Sequence, residues 1–297
     1  MSIISTFTFV LFTCFTCFDL VAMPGTKGFA FWQTPSSSIP GPPPTLSCVT
    51  NLTTSAQTDF TIPADASWIQ VKSWGAGGAA GSSGRGYGGP GGYTEGIFYL
   101  PVSPLSAGST IKVVVGNSNS SCTGEGFCGG YITYSSGGGG RGSYSGGGLS
   151  GVFTGSTTVT ATDQARAVVI AGGGGGRNDI GSNNNQESYG RPGNNPTSGG
   201  ETTMKGNDPA AYSNCSGGGG YQGGIESSPG TRSGSACDGH GGSGFVNAQA
   251  YSQSIDYSAT TGPSQVVPNT GDSDYAGSAG LHGNLGLVVI RTNGTCI

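Results

Sequence analysis

Charge is what this sequence has least of. Only 9% of its 297 residues are Asp, Glu, Lys or Arg, with 11 basic residues against 15 acidic ones and no basic cluster. A surface that tracks phosphates needs such a cluster, so nucleic acid is not an expected partner. Histidine is scarce too: His240 and His282 are the two in the chain, both beside glycine and neither in a His-Glu-x-x-His zinc signature. An exposed polar loop residue is the plain reading of each. No window of about a dozen residues repeats its apolar positions at the 3.6 period of a helix. The expectation is an all-β chain.

Nucleotide signatures fail on physical grounds. Gly75-Ala-Gly77-Gly-Ala-Ala80, with Glu95 about 20 residues on, formally matches a dinucleotide fingerprint. That fingerprint holds phosphate on the amides of a following helix, and residues 81–93, mostly Gly with Ser, Pro and Tyr, cannot form one. The run Ala171-Gly-Gly-Gly-Gly-Gly176 fails likewise, and no Gly-Lys-Ser/Thr loop occurs. We therefore expect no enzyme, and assign no catalytic residue, cofactor or metal. Carboxylates such as Asp272 and Asp274, or Glu125, could in principle pair as in a glycosidase, where separation in space decides.

Glycine is what the chain has in excess, with 60 residues. A strict third-residue period is missing and Pro numbers 16, which excludes collagen. Disorder goes with high net charge and few bulky apolar residues, whereas here the net charge is −4 and compact β-branched runs punctuate the glycine. The glycine lies in tracts, at 75–92, 137–148, 172–176, 217–224 and 239–244, too long for hairpin turns. Polyglycine-II geometry is the ordered alternative: extended threefold strands lying closer together than a Cβ allows.

The one long apolar run, residues 3–18, is short for a membrane span and suits the core of an export signal, with Leu20-Val21-Ala22 as a small-residue exit. Residues 1–22 read as a signal peptide, or as a retained anchor, which alone would bring a membrane partner. Residues 23–47, rich in Pro, Ser and Gly, read as a linker. The glycine-rich β domain then covers 48–297. Outside the signal lie six cysteines, an even number that reads as a disulfide framework in an exported chain. Fifteen pairings are open in principle, and the spacing favours Cys48–Cys296, Cys122–Cys128 and Cys215–Cys237. Asn51, Asn119, Asn214 and Asn293 each begin a glycosylation sequon.

Strands are expected at 60–62, 68–74, 94–100, 110–115, 131–134, 165–170, 244–247 and 285–291. Ala167-Val-Val-Ile170 and Leu287-Val-Val-Ile290 are continuous apolar runs, hence buried on both faces. Tyr87, Tyr93, Tyr134, Tyr144, Tyr189 and Tyr221 lie in or beside the tracts and read either as surface contacts, for glycans or proteins, or as caps shielding the glycine.

Phe60-Thr-Ile-Pro63, Ile69-Gln-Val-Lys-Ser-Trp-Gly-Ala-Gly-Gly78, Gly91-Gly-Tyr-Thr-Glu-Gly96, Lys112-Val-Val-Val-Gly116, the run from Val168 to Gly176 and Gly286-Leu-Val-Val-Ile-Arg291 carry a resemblance. Over about 58–292 the chain resembles the glycine-rich domains of phage tail-tip and bacterial surface proteins, and the glycine-rich region of certain receptor tyrosine kinases. The resemblance implies a β-sandwich or jelly-roll-like domain with inserted polyglycine-II helices and a role in binding or display. The framework cysteines and the Pro-rich leader depart from it. The leading expectation is a secreted structural or adhesive protein of a surface, filament or particle coat, whose partners are its own copies or other coat proteins. A carbohydrate- or ligand-binding module is the alternative, and ice binding a remote one.

Overall fold

The computed structural model describes residues 48–53, 57–79, 87–118, 130–131, 137–138, 145–178, 190–195, 199–207, 216–225, 237–259 and 265–296. In chain order these hold β1 (Cys48–Leu52), β2 (Gln57–Thr61), β3 (Trp68–Trp74), β4 (Tyr93–Tyr99), β5 (Thr110–Val114), β6 (Gly130–Tyr131), β7 (Gly137–Gly138), β8 (Ser150–Thr154), β9 (Ala167–Ala171), β10 (Arg177–Asn178), β11 (Cys237–Asp238), β12 (Phe245–Val246), β13 (Ser252–Asp256) and β14 (Leu287–Thr292). A 3-10 turn, Asp163–Arg166, precedes β9.

Two antiparallel five-stranded sheets form the sandwich, in the orders β1-β14-β3-β4-β13 and β12-β9-β8-β5-β2. Their facing sides meet in one apolar core, with Ile69, Val71, Phe98, Val288 and Ile290 from the first sheet and Ile111, Val113, Val152, Val169 and Val246 from the second. Each sheet is also covered on its outer side. Trp74, Tyr93, Leu287 and Val289 of the first pack under Val267 and Ala279, while Val114, Phe153 and Ile170 of the second pack under Val159 and Met204. Double cover is why β9 and β14 read as unbroken apolar runs, as expected from the sequence, since both faces of each are buried.

At one end of the sandwich the strands pass directly into the glycine tracts: β3 and β9 run out into 75–79 and 172–176, and β4, β8 and β12 are entered from 87–92, 145–149 and 239–244. The hairpin registers persist, but their period changes. Trp74 faces Tyr93 in the β3–β4 ladder, and beyond it Gly75 N–H bonds the Gly92 carbonyl at 3.0 Å and Gly78 N–H the Gly89 carbonyl at 2.8 Å, three residues later. Bonding to one neighbour at every third residue is the signature of threefold polyglycine-II strands.

Tract 172–176 is the bundle's axis. Gly172 and Gly175 donate to the 190–194 tract, through Asn194 Oδ1 (2.8 Å) and the Arg191 carbonyl (2.9 Å). Gly173 and Gly176 donate to Gly219 (2.7 Å) and Ser216 (2.8 Å), and Gly174 to Ala76 (2.9 Å). Their carbonyls in turn accept from Gly92, Gly242, Gly147, Gly89 and Gly239. Every N–H and C=O of the tract is thereby satisfied by tracts on six sides: 75–79, 87–92, 145–149, 190–194, 216–220 and 239–242. Glycine is required here by approach and not by φ: a Cβ on Gly172, Gly173, Gly174 or Gly175 would fall inside a neighbouring carbonyl.

Candidate functional site

Disulfide Cys48–Cys296 joins the start of β1 to the residues just past β14, with Cα atoms 5.1 Å apart. The pairing follows from the fold, because β1 lies antiparallel on β14 with Cys48 opposite Thr292. Cys122, Cys128 and Cys215 lie outside the described residues, as do Asn119, Asn214, Tyr134, Tyr144, Tyr189 and all of residues 1–47; Cys237 is described in its backbone, as part of β11.

Two sequons can be compared. Asn51 lies on β1 and is exposed, as is Thr53. Asn293 is committed to the turn before β3: its Oδ1 accepts from the N–H groups of Ser67 (2.9 Å) and Trp68 (3.3 Å), and its Nδ2 donates to Ser67 Oγ (2.8 Å). Thr295 of the same sequon is held by Asp65, to which its hydroxyl donates at 2.9 Å.

The tyrosines divide likewise. Tyr93 is not a surface residue: at 1% exposure it packs on Trp74, ring centroids 4.8 Å apart, and donates to Glu95 Oε2 at 2.6 Å. Burial, then that carboxylate, pushes its phenol far above the ordinary tyrosine range. The reason is the cover on the outer side of the first sheet, where Val267 and Ala279 join Tyr93 and Trp74 in one cluster, while Glu95, Ile97 and Tyr99 further along the same face of β4 stay half-buried. Tyr221 is half-buried, stacked on Phe245 at 4.1 Å. Tyr87 is 38% exposed and rests on the His282 ring at 4.3 Å, whose pKa burial lowers.

Asp272 and Asp274 form a clamp. Lys72 of β3 donates to both oxygens of Asp272 (2.9 and 2.7 Å) and lies 2.9 Å from Asp274 Oδ2, while Arg291 of β14 pairs with Asp274 Oδ1. Burial alone would raise the Asp274 pKa, but bonds from Arg291 and Lys72 outweigh it and hold the carboxyl below its ordinary value. Burial likewise works to lower the Lys72 pKa, and its bonds to Asp272 and Asp274 reverse the sign. A general acid of a glycosidase needs a raised pKa, so this geometry suits pinning segment 265–286 onto the sheet. Among the described residues no group of three His, Cys, Asp or Glu could hold a metal ion.

A further buried polar residue has no sequence signal. Asn194, with φ 60°, lies between bundle and sandwich: its Oδ1 accepts from Gly172, and its Nδ2 donates to the Tyr93 carbonyl (2.7 Å), Thr94 Oγ1 (2.9 Å) and the Asp256 carbonyl (3.2 Å). It fixes the register between the axis tract, β4 and β13.

β13 is open to solvent along most of its length. It is an outer strand of the first sheet, and among the described residues its backbone bonds β4 alone, apart from the Asp256 carbonyl at its end, which takes Asn194. Ile255 on it is 44% exposed, and Tyr251 and Tyr257 at its ends are 51% and 39% exposed. Sequence reasoning misses it because Ser-Gln-Ser-Ile-Asp has no apolar alternation, the expected mark of a strand with one free edge and little cover. Among the described residues β13 is a sheet edge bordered by exposed aromatic and apolar side chains, a geometry to which a further strand can add. The chain matches no protein-family model, and comparison with curated proteins returns no relative.

Proposed function

We propose that the chain is a non-enzymatic structural or adhesive subunit of an extracellular surface, coat, filament or particle. The observation that carries this reading is the axis tract 172–176, enclosed on six sides by other backbone. The axis tract is five glycines and brings no side chain from which to build a cleft. The bundle offers stiffness instead, with each strand tied to several neighbours. The disulfide between the chain's two β termini and the open β13 edge fit a rigid unit that joins to others. The resemblance to glycine-rich surface and tail-tip domains points the same way.

The test is the mass of the purified protein in solution. A structural subunit forms dimers or larger assemblies as its concentration rises through the micromolar range, read by sedimentation velocity. A protein that stays monomeric throughout and retains defined oligosaccharides on a glycan array is instead a carbohydrate-binding module.

A further inference from the structure

We propose that β13 is a self-assembly edge, on which a second copy of this chain pairs its own β13 in antiparallel fashion about a twofold axis through Ser254. The inference rests on the assembly reading above and names its partner.

Four strands border the two sheets, and they are not alike. β12 is two residues long, too short for a stable ladder. β2 is hooked by a neighbouring segment, since Gln57 donates to the Val159 carbonyl (3.2 Å) and accepts from its N–H (2.8 Å). β1 presents one exposed large apolar side chain, Val49, beside the sequon asparagine Asn51. β13 has five residues with no Lys, Pro or bulge, the devices by which proteins block edge pairing. Its one charge, Asp256, is already engaged by Ser254 Oγ (2.8 Å) and Asn269 Nδ2 (2.9 Å).

The occupant follows from the register. Antiparallel pairing centred on Ser254 sets Ser252 against Asp256 of the second copy, Gln253 against Ile255, and Ser254 against Ser254. No like charges meet, and each carboxylate faces a hydroxyl donor. The same twofold brings Tyr251 of one copy level with Tyr257 of the other, twice, so exposed aromatic side chains become cross-strand neighbours. The two first sheets then continue into one another.

Ser254→Cys tests the register directly. Directly opposed residues of an antiparallel pair have Cα atoms about 4.5–5.5 Å apart, within the range a disulfide spans. Under mild oxidation this variant should give a covalent dimer whose peptide map joins the two copies through their introduced thiols, while Val49→Cys should not. Ile255→Lys, at an exposed position, should weaken assembly at least tenfold by sedimentation with an unchanged melting midpoint, and Val49→Lys should leave it alone. If wild-type protein assembles but Ser254→Cys forms no dimer link, or both lysine variants weaken it equally, another surface is used: the edge proposal falls and the assembly reading stands. A wild-type protein that stays monomeric overturns both.

Discussion

The sandwich and the glycine bundle belong to the same hairpins, yet they are held together in opposite ways. Between the sheets, side chains such as Val71, Phe98 and Val169 fill the gap and stabilise in proportion to the apolar area they remove from water. In the bundle the backbones touch, and stability comes from hydrogen bonds worth about 1 kcal/mol net each, reinforced by Cα–H···O contacts. The change occurs within one step, between Trp74–Tyr93 and Gly75–Gly92. A region packed by side chains is damaged by removing atoms, and one packed by backbone by adding them.

The largest expected effect breaks that contrast or proves it. In Gly174→Val the new Cβ meets the Gly89 carbonyl and Pro90. Tract 87–92 must then move off the axis, losing its bonds to Gly172 and Gly175 and straining those to 75–79. Overpacking at about 1–3 kcal/mol plus several bonds at about 1 kcal/mol each reaches about 5 kcal/mol or more, the whole stability of many domains. Val169→Ala, a deletion in the sandwich, should cost about 2 kcal/mol. Gly271→Ala, with nothing within 4 Å of its added methyl, should stay within about 0.5 kcal/mol. Denaturant titrations of the three give the order, and a Gly174→Val protein as stable as Gly271→Ala would mean that the tract is not packed.

Next in size is the disulfide, which acts on both regions at once. Cys48 and Cys296 are 248 residues apart, so the link restrains nearly the whole unfolded chain. The double variant Cys48→Ser/Cys296→Ser should lose about 4 kcal/mol, within the roughly 2–5 kcal/mol found when native links are removed. Hydrogen exchange sharpens the comparison: if the loss is an unfolded-state effect, protection falls in β3 and in tract 172–176 alike. A loss confined to β1 and β14 would make the disulfide a local clip.

Much of the sandwich can be read from sequence because its side chains carry the information. The Trp68–Trp74 strand is expected with these same ends, and the doubly buried runs at 167–170 and 287–290 are legible from their lack of alternation. β1, β8 and β13 are not legible: Cys-Val-Thr-Asn-Leu, Ser-Gly-Val-Phe-Thr and Ser-Gln-Ser-Ile-Asp are short, mixed runs whose strand state comes from their neighbours. The bundle is legible in kind and not in wiring. Glycine tracts announce close approach, but residues without side chains cannot say which tract meets which, and that choice falls to hinge residues such as Asn194, invisible in an Asn-rich stretch. The candidate edge is hidden for the same reason as β13, and Tyr93 is misplaced by sequence reasoning because cover by 265–286 is a long-range fact.

The clamp on that cover tests the outer face of the sandwich. Lys72→Met leaves Asp272 and Asp274 without their lysine and should cost about 2–3 kcal/mol, less than the full penalty for a broken buried pair because Asp272 is partly in water. The pH dependence has a definite sign. Asp274 is depressed, so its contribution is whole above the ordinary 3.8 and disappears as pH falls through its lower folded value. Lys72 is raised, so its contribution is whole below 10.5 and disappears as pH rises through its higher folded value. Between those limits the gap between wild type and Lys72→Met should be flat, closing toward both extremes. A gap that changes between about pH 5 and 9 would point to other groups.

The smallest effect separates the two described sequons, one on the β1 border of the first sheet and one just past its inner strand β14. N-linked transfer joins the asparagine Nδ2 to a sugar, so that nitrogen must be accessible. Asn51 meets this on the exposed β1 border, whereas Nδ2 of Asn293 is bonded to Ser67 Oγ in a turn that its Oδ1 also holds. Expressed through a eukaryotic secretory pathway, the protein should carry glycan at Asn51 and none at Asn293, read by peptide mapping before and after glycosidase treatment. Stability should divide the same way: Asn51→Gln within about 0.5 kcal/mol of wild type, and Asn293→Ala lower by about 1–2 kcal/mol as the Ser67 and Trp68 amides lose their acceptor. A sugar on Asn51 would also leave the sheet with one screened border and one open one at β13. Glycan found at Asn293 in folded, fully stable protein would show that the turn before β3 is not held by its amide, and that the sandwich is looser at this end than at the bundle.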